Sequence, residues 1–172
     1  SLGFDHIRVS INIVAQQIHR GHLIQDIDEA LNTYRIYGDM LELELTESSL
    51  LDKSNHVIEL LQQIKARHIS ISLDDFGTGY SSLSYLKKFP IKYLKIDKSF
   101  LDDFNTKEGS TFVETIVKLG QTLNMKIITE DIEKLEQVEY LKKIKCDQYQ
   151  GYFCSKPLNA KDFEQFYLNK KI

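Results

Sequence analysis

The chain has 172 residues, a formal net charge of -3, 42% hydrophobic residues and 27% charged residues. These values are typical of one soluble domain with a sizeable core, and they argue against a basic surface that coats a nucleic-acid polymer. No apolar stretch is long enough to span a membrane and no signal peptide is visible. We therefore expect a cytoplasmic domain, although a longer parent protein starting before Ser1 could be tethered to a membrane.

The two cysteines, Cys146 and Cys154, show neither a zinc-binding spacing nor a disulfide framework. The sequence favours two free thiols in a reducing compartment.

Short β-branched runs alternate with segments of helical periodicity along the chain. Strands are predicted over residues 7–13, 41–45, 69–73, 93–96, 126–129 and 150–153, and helices over residues 55–67, 112–123 and 135–144. Such alternation predicts a parallel α/β sheet, either open and doubly wound or part of an eight-stranded barrel. Both architectures place ligands at the C-terminal ends of the strands.

Two adjacent acids end the third predicted strand. Asp74 and Asp75 are followed by Gly77 and Gly79, which predict a turn. Neighbouring carboxylates repel each other and are costly to bury without a counter-charge. Hard divalent cations are bound by several such oxygens, so this run indicates a metal site if other strands supply further ligands.

Side chains alternate along a strand, which predicts that further polar groups face the same side as Asp74. The shared feature is a carboxylate, amide or amine at or near the C-terminal end of a strand: Asn12, Glu44, Asp74, Asp75, Lys95 and Glu130. Each alone could be a satisfied structural residue or part of an interior salt-bridge network. Together they favour a metal site, in which parity selects Glu44, within the strand, over Glu47, which follows it.

The run from Asp74 to Leu83 resembles the signature of the EAL-domain family of cyclic di-GMP phosphodiesterases. The resemblance continues through residues 10–13, 43–48, 94–100, 129–133 and 150–158, and covers essentially the whole chain. It implies an incomplete (β/α)8 TIM-type barrel of the EAL-domain kind, with about six strands present, and residues 1–172 forming a single partial EAL domain. It also implies a bacterial signalling hydrolase that converts cyclic di-GMP to linear pGpG.

The resemblance implies a role for each matching residue and two Mg²⁺ or Mn²⁺ ions per site in the complete domain. The implied metal ligands are Asn12, Glu44, Asp74 and Asp75; the implied catalytic residues are Glu130, Lys95 and Asp97; the implied loop supports are Glu47 and Glu133; and the implied substrate-binding residues are Gln150, Gly77, Thr78 and Gly79.

The chain departs from the family pattern in two ways. It corresponds to the C-terminal two-thirds of the domain, without the part that carries the name-giving Glu-Ala-Leu motif. Asp131 also replaces the glycine of the family's Glu-Gly-Val-Glu motif. We therefore expect the isolated 172 residues to be poorly active. The open barrel edges are expected to cause homodimerisation or domain exchange.

Two other functions stay open at this point. The chain could be a catalytically inactive module that binds cyclic di-GMP or a protein, or a Mg²⁺-dependent hydrolase of another phosphate ester. The family resemblance also implies that a diguanylate cyclase-like or sensor domain can accompany it in the parent protein.

Overall fold

The computed structural model describes residues 7–50, 55–77 and 86–170. These residues form a six-stranded sheet whose spatial order equals the chain order, with every pair of neighbours parallel. The strands are β1 (Val9–Ile13), β2 (Leu41–Thr46), β3 (Ser70–Asp74), β4 (Tyr93–Ile96), β5 (Lys126–Thr129) and β6 (Gln148–Tyr149). The predicted α/β class and incomplete barrel are confirmed, since β1 and β6 each pair on one side only within the described chain.

Among the described residues, helices lie in the connections from β1 to β2, β2 to β3, β4 to β5 and β5 to β6, where parallel pairing requires crossovers. The described helices are α1 (Ala15–His19), α2 (Leu23–Tyr34), α3 (Asn55–Ala66), α4 (Lys107–Thr122), α5 (Leu135–Lys143) and α6 (Ala160–Lys170). Short 3₁₀ helices lie at Gly38–Met40, Glu47–Leu50 and Lys98–Leu101. None of the described helices is long and apolar enough to cross a membrane.

The core lies between one face of the sheet and the helices. Strand residues of one parity, such as Leu43, Leu73, Leu94 and Ile127, are almost completely buried there. The opposite parity carries the polar side chains of the interior face. The parallel register aligns these residues across the sheet: Asn12 pairs with Glu44, and Glu44 pairs with Ser72. The polar side chains therefore lie next to one another on this face.

The prediction for the sixth strand is wrong. β6 ends at Tyr149, and Gln150 follows the strand instead of opening it. The chain turns at Gly151, whose carbonyl accepts hydrogen bonds from the backbone nitrogens of Cys154 and Ser155. The aromatic pair Tyr152 and Phe153 that suggested a strand is exposed on this turn.

Candidate active site

Three carboxylates from three strands or strand ends surround one ammonium group. Lys95 Nζ lies 2.6 Å from Glu130 Oε1, 2.8 Å from Glu44 Oε2 and 3.4 Å from Asp74 Oδ1. The Lys95 side chain is 4% exposed, and the three acids are between 10% and 17% exposed. The cluster is therefore a largely desolvated group of ionisable side chains at the C-terminal edge of the sheet.

The register of the sheet brings these residues together. Ser72 pairs with Tyr93, and two residues further along each strand are Asp74 and Lys95. Glu44 is on the neighbouring strand opposite Ser72, and Glu130 directly follows β5. Alternation then points all four side chains to the interior face, as the sequence predicts.

Opposing effects set the pKa values in the cluster. Burial alone would lower the pKa of Lys95, but its hydrogen bonds to Glu130 and Glu44 and the charges around it raise that pKa above its usual value. Burial raises the pKa of Glu130 to about 7, even though the contact with Lys95 acts in the opposite direction. Lys95 therefore stays charged at neutral pH, while Glu130 can gain or lose a proton there.

Gln150 forms a further hydrogen bond to Glu130. Its amide nitrogen donates a short hydrogen bond to Glu130 Oε1, the same oxygen that Lys95 contacts. Gln150 also lines a cavity of about 360 Å³ together with Tyr152, Lys156 and Phe163. Gln150 therefore links the cluster to a pocket that has aromatic side chains in its lining.

Two further predicted acids flank the cluster. Asp75 is exposed, and its pKa is raised by partial burial and by the nearby charges of Asp74 and Asp97. Asp97 begins the 3₁₀ helix Lys98–Leu101 and accepts hydrogen bonds from the backbone and hydroxyl of Ser99, which lower its pKa. Its present contacts are those of a helix cap.

The predicted loop supports make different contacts. The buried Glu47 accepts a 3.3 Å hydrogen bond through Oε2 from the backbone nitrogen of Gly77, which ties the turn after Asp75 to the end of β2. Glu133 lies 3.5 Å from Lys98 on the surface. Thr78 and Gly79 lie outside the described residues.

Asn12 is at the rim of the cluster. It pairs with Glu44 in the register of β1 and β2, which puts the two side chains on the same face, and it is exposed. The structure thus brings the predicted metal ligands to one edge of the sheet, with Glu44 and Asp74 sharing Lys95 and with Asn12 and Asp75 beside them.

Asp131 has a left-handed backbone conformation. Its φ of 53° lies in the left-handed region, which glycine enters freely and Asp tolerates better than most residues. Asp131 is exposed and lines the same cavity as Gln150.

The carboxylate and amide oxygens of the cluster are the ligand type that Mg²⁺ and Mn²⁺ prefer. The acids already surround the positive charge of Lys95, so the residues present also suit a divalent cation. Within the described ranges, however, no three or more His, Cys, Asp or Glu side chains are already arranged to hold a metal ion. Lys95 instead stands between the acids. The metal site of the sequence analysis therefore remains a prediction.

A second polar layer lies on the interior face, and sequence reasoning did not predict its contacts. Arg8 Nε is 2.8 Å from Glu42 Oε2, and the Arg8 guanidinium lies 4.4 Å from the centre of the Tyr93 ring. Glu42 is 1% exposed, and its Oε2 has no aligned hydrogen-bond donor, so the contact is ionic. Glu42 has the same strand parity as Glu44, and Tyr93 the same as Lys95. This shared parity is the sequence signal that could have predicted the second layer.

Comparison with known proteins agrees with this geometry. The family model for the EAL domain matches residues 2–157, and the chain belongs to the EAL-domain family. It is 43% identical over 169 residues to the signaling protein YkoW of Bacillus subtilis, covering 98% of this chain and 21% of the relative. It is 34% identical over 165 residues to the cyclic di-GMP phosphodiesterase NbdA of Pseudomonas aeruginosa, covering 95% of this chain and 21% of the relative.

Solved structures are similar over most of the chain. The PaMucR phosphodiesterase in its c-di-GMP complex has a TM-score of 0.85 and 36% identity, covering 91% of this chain and 64% of that chain. An EAL domain protein from Listeria monocytogenes EGD-e has a TM-score of 0.83 and 34% identity, covering 94% of this chain and 65% of that chain. The chain thus spans about a fifth of the curated relatives and slightly under two thirds of these structures.

Proposed function

We propose that this chain is the part of a cytoplasmic phosphodiesterase that hydrolyses cyclic di-GMP to linear pGpG with the help of Mg²⁺ or Mn²⁺. The observation that carries the proposal is the convergence of Glu44, Asp74 and Glu130 on Lys95. Membership of a family that includes cyclic di-GMP phosphodiesterases supports the substrate class. An accompanying cyclase-like or sensor domain in the parent protein stays a prediction.

The charge balance of the cluster favours added cations. Three carboxylates share one ammonium group, so ionised acids exceed the positive charge, and Asp75 adds another acid at the edge. Buried carboxylates require partners because they have lost most of their water. A divalent ion relieves this excess more effectively than a second ammonium group.

Asn12, Glu44, Asp74 and Asp75 would hold the metal ions. A bound divalent ion would lower the pKa of a water molecule and stabilise negative charge on phosphoryl oxygens. Asn12, Glu44 and Asp74 lie on β1, β2 and β3, whose register aligns them before any ligand binds, and Asp75 directly follows Asp74.

Glu130 and Lys95 would act on the reaction itself. A general base works best when its pKa lies near the working pH, and burial raises the pKa of Glu130 to about 7. Glu130 would take a proton from the attacking water, and Gln150 would keep its carboxylate in place. Lys95 would donate to a phosphoryl oxygen, whose negative charge increases as the water oxygen bonds to phosphorus. The leaving O3′ would take up a proton as the P–O3′ bond breaks.

The substrate would occupy the open side of the cluster. The adjoining cavity of about 360 Å³ has aromatic walls suited to a flat base, with Gln150 at its inner edge. Gly77, Thr78 and Gly79, which follow β3 in the sequence, would contact the phosphate. Glu47 and Glu133 would hold the loops on either side.

Metal binding is the first test. We expect Mn²⁺ to bind the purified chain in calorimetry, and Glu44→Gln or Asp74→Asn to weaken binding by at least about tenfold, because each removes one anionic ligand. Glu29→Gln, an exposed acid on α2, is the matched control and should not change the affinity. Equal Mn²⁺ affinity in all variants would refute the proposed ligand set.

Turnover tests the reaction. Product formation from cyclic di-GMP and from a generic aryl phosphodiester should be followed by chromatography, with and without Mn²⁺. We expect only cyclic di-GMP to be hydrolysed, slowly by the 172 residues alone, below about 0.1 per second against a median of about 10 per second for enzymes. Preferential turnover of the aryl ester would instead support a general phosphate-ester hydrolase.

The alternative function is a module that binds cyclic di-GMP without hydrolysing it, and Asp131 is the residue that favours it. Asp131 adds an exposed carboxylate to the rim of the pocket beside Glu130. If its charge impairs catalysis, both Asp131→Asn and Asp131→Gly should increase hydrolysis in the longer protein. If the left-handed backbone is the obstacle, only the glycine variant should. Binding of cyclic di-GMP without turnover in all three proteins would favour the module.

A further inference from the structure

A second concave surface lies at the opposite end of the sheet from the acid cluster. It is a cavity of about 540 Å³ at the N-terminal ends of the strands, where Ser70 begins β3 and Lys92 immediately precedes β4. Lys65 and His68 approach it from the end of α3 and the following turn. This volume is within the range of pockets that bind small organic ligands.

The walls of this cavity are held by backbone packing. Lys92 N donates to Ile71 O at 2.8 Å, and Lys92 O accepts from Lys126 N at the same distance. Beside it, a Cβ on Gly38 would lie 1.8 Å from Arg67 O, so the two loops are in direct contact. Arg67 is itself fixed by a two-pronged contact with Asp28, through Nε at 2.6 Å and Nη2 at 2.7 Å.

The lining combines an apolar floor with a mainly positive rim. Ile69, Ile91 and Phe89 are buried beneath it. Neither Lys65 nor Lys92 forms an ion pair with a carboxylate among the described residues. Lys92 Nζ lies 3.4 Å from Ser70 Oγ and 5.3 Å from the centre of the Tyr93 ring. Asp39 is the acidic residue of the lining.

We infer that this cavity is a binding site for a phosphorylated small molecule of about mononucleotide size. Lys65 and Lys92 pair with its phosphate, Ser70 and His68 supply further hydrogen-bonding groups, and its flat body lies on the apolar floor. Ammonium groups bind phosphate through charge-assisted hydrogen bonds, which are stronger than neutral ones. The site is separate from the proposed active site because it lies at the other ends of β3 and β4.

An NMR titration of the ¹⁵N-labelled chain tests this inference, with AMP as the probe and adenosine as the matched probe without phosphate. Concentrations up to about 5 mM suffice, because millimolar affinity corresponds to about -4 kcal/mol. We expect AMP to shift the amide signals of Ser70, Ile71 and Lys92, and adenosine to bind at least about tenfold more weakly.

Variants separate this site from the acid cluster. Lys65→Ala and Lys92→Ala should each weaken AMP binding by about tenfold, whereas Lys161→Ala, an exposed lysine on α6, should leave it unchanged. Unchanged affinity in both pocket variants would overturn the inference. So would AMP-induced shifts confined to Glu44, Asp74 and Gln150, a result that leaves the proposed phosphodiesterase activity intact.

Discussion

At the scale of single residues, Lys95 is the centre of the candidate site. Parity along the strands predicts that Lys95, Glu44 and Asp74 face the same side, and they do. The sequence could not predict that one ammonium is shared by three acids, because that depends on the register between strands and on the reach of each side chain. Lys95 partly neutralises the cluster, so we expect the acids to assemble before any metal arrives.

Removing this ammonium should destabilise the metal-free chain. Lys95→Met leaves three largely buried carboxylates without their cation, and we expect the free energy of unfolding in EDTA to fall by about 3–5 kcal/mol. Urea denaturation measures it, with Lys161→Met as the exposed control. Mn²⁺ should restore part of the loss in Lys95→Met. If Lys95→Met were as stable as the unsubstituted chain, Lys95 would not be the counter-charge of the three carboxylates.

The proton on Glu130 should make stability depend on pH. Because its pKa rises from an ordinary 4.5 to about 7 on folding, the folded chain retains a proton that the unfolded chain releases at lower pH. This contribution is complete below about pH 4.5 and is lost as the pH rises towards 7. Denaturant midpoints of the metal-free protein should therefore fall over this range more steeply than those of Glu130→Gln.

The exposed Glu133→Gln variant is the control for this pH effect and should follow the parent chain. If the denaturant midpoints of Glu130→Gln and of the unsubstituted chain changed equally with pH, this would contradict the raised pKa of Glu130.

At the scale of elements, hydrophobic pattern located β1 to β5 within two residues but misplaced β6. Aromatic residues after Gly151 resemble a strand in sequence, whereas the glycine's φ of 149° and its packing against Ile132 turn the chain. α2 was missed although Leu23, Ile27 and Leu31 have helical spacing. α4 begins five residues before its apolar pattern, where Thr106 Oγ1 accepts a hydrogen bond from Gly109 N.

Gly151 should be the least replaceable glycine near the site. A Cβ there would lie 2.2 Å from Ile132 N and 2.3 Å from Ile132 O, both backbone atoms, so Gly151→Ala should cost more than about 2 kcal/mol. Gly21 also has a positive φ, of 77°, but nothing lies within 4 Å of its added Cβ. Gly21→Ala should therefore cost about 1 kcal/mol from backbone strain alone.

Thermal or urea unfolding measures the loss of stability in each glycine variant. Gly151→Ala reports the steric contact together with backbone strain, and Gly21→Ala reports backbone strain alone. Equal losses in both would mean that the contact between Gly151 and Ile132 contributes nothing.

At the scale of the whole molecule, the sheet has an apolar open edge. Val9 is 55% exposed and Ile11 is 43% exposed, whereas their neighbours Leu41 and Leu43 on β2 are buried. An exposed strand with free backbone groups can pair with another chain. The sequence predicts the strands and their order, but it does not show how much of β1 remains uncovered.

This edge should drive self-association of the 172 residues. We expect sedimentation at tens of micromolar, as an order-of-magnitude working range, to show dimers or larger species, and Ile11→Lys to shift them towards monomer because a charge on an edge strand opposes pairing. Tyr34→Lys, at an exposed position on α2, is the control. A monomeric parent chain would contradict the expectation.

The identity of spatial and chain order in this sheet has a consequence for biosynthesis. In the described sheet, each strand after β1 pairs with the strand translated just before it, so none of these strands must wait for a distant one to emerge from the ribosome. A connection between neighbouring strands costs less entropy to close than a longer one, which favours stepwise growth of the described sheet from β1 towards β6. The acid cluster would then become complete late, when translation has supplied Glu130 and the segment around Gln150.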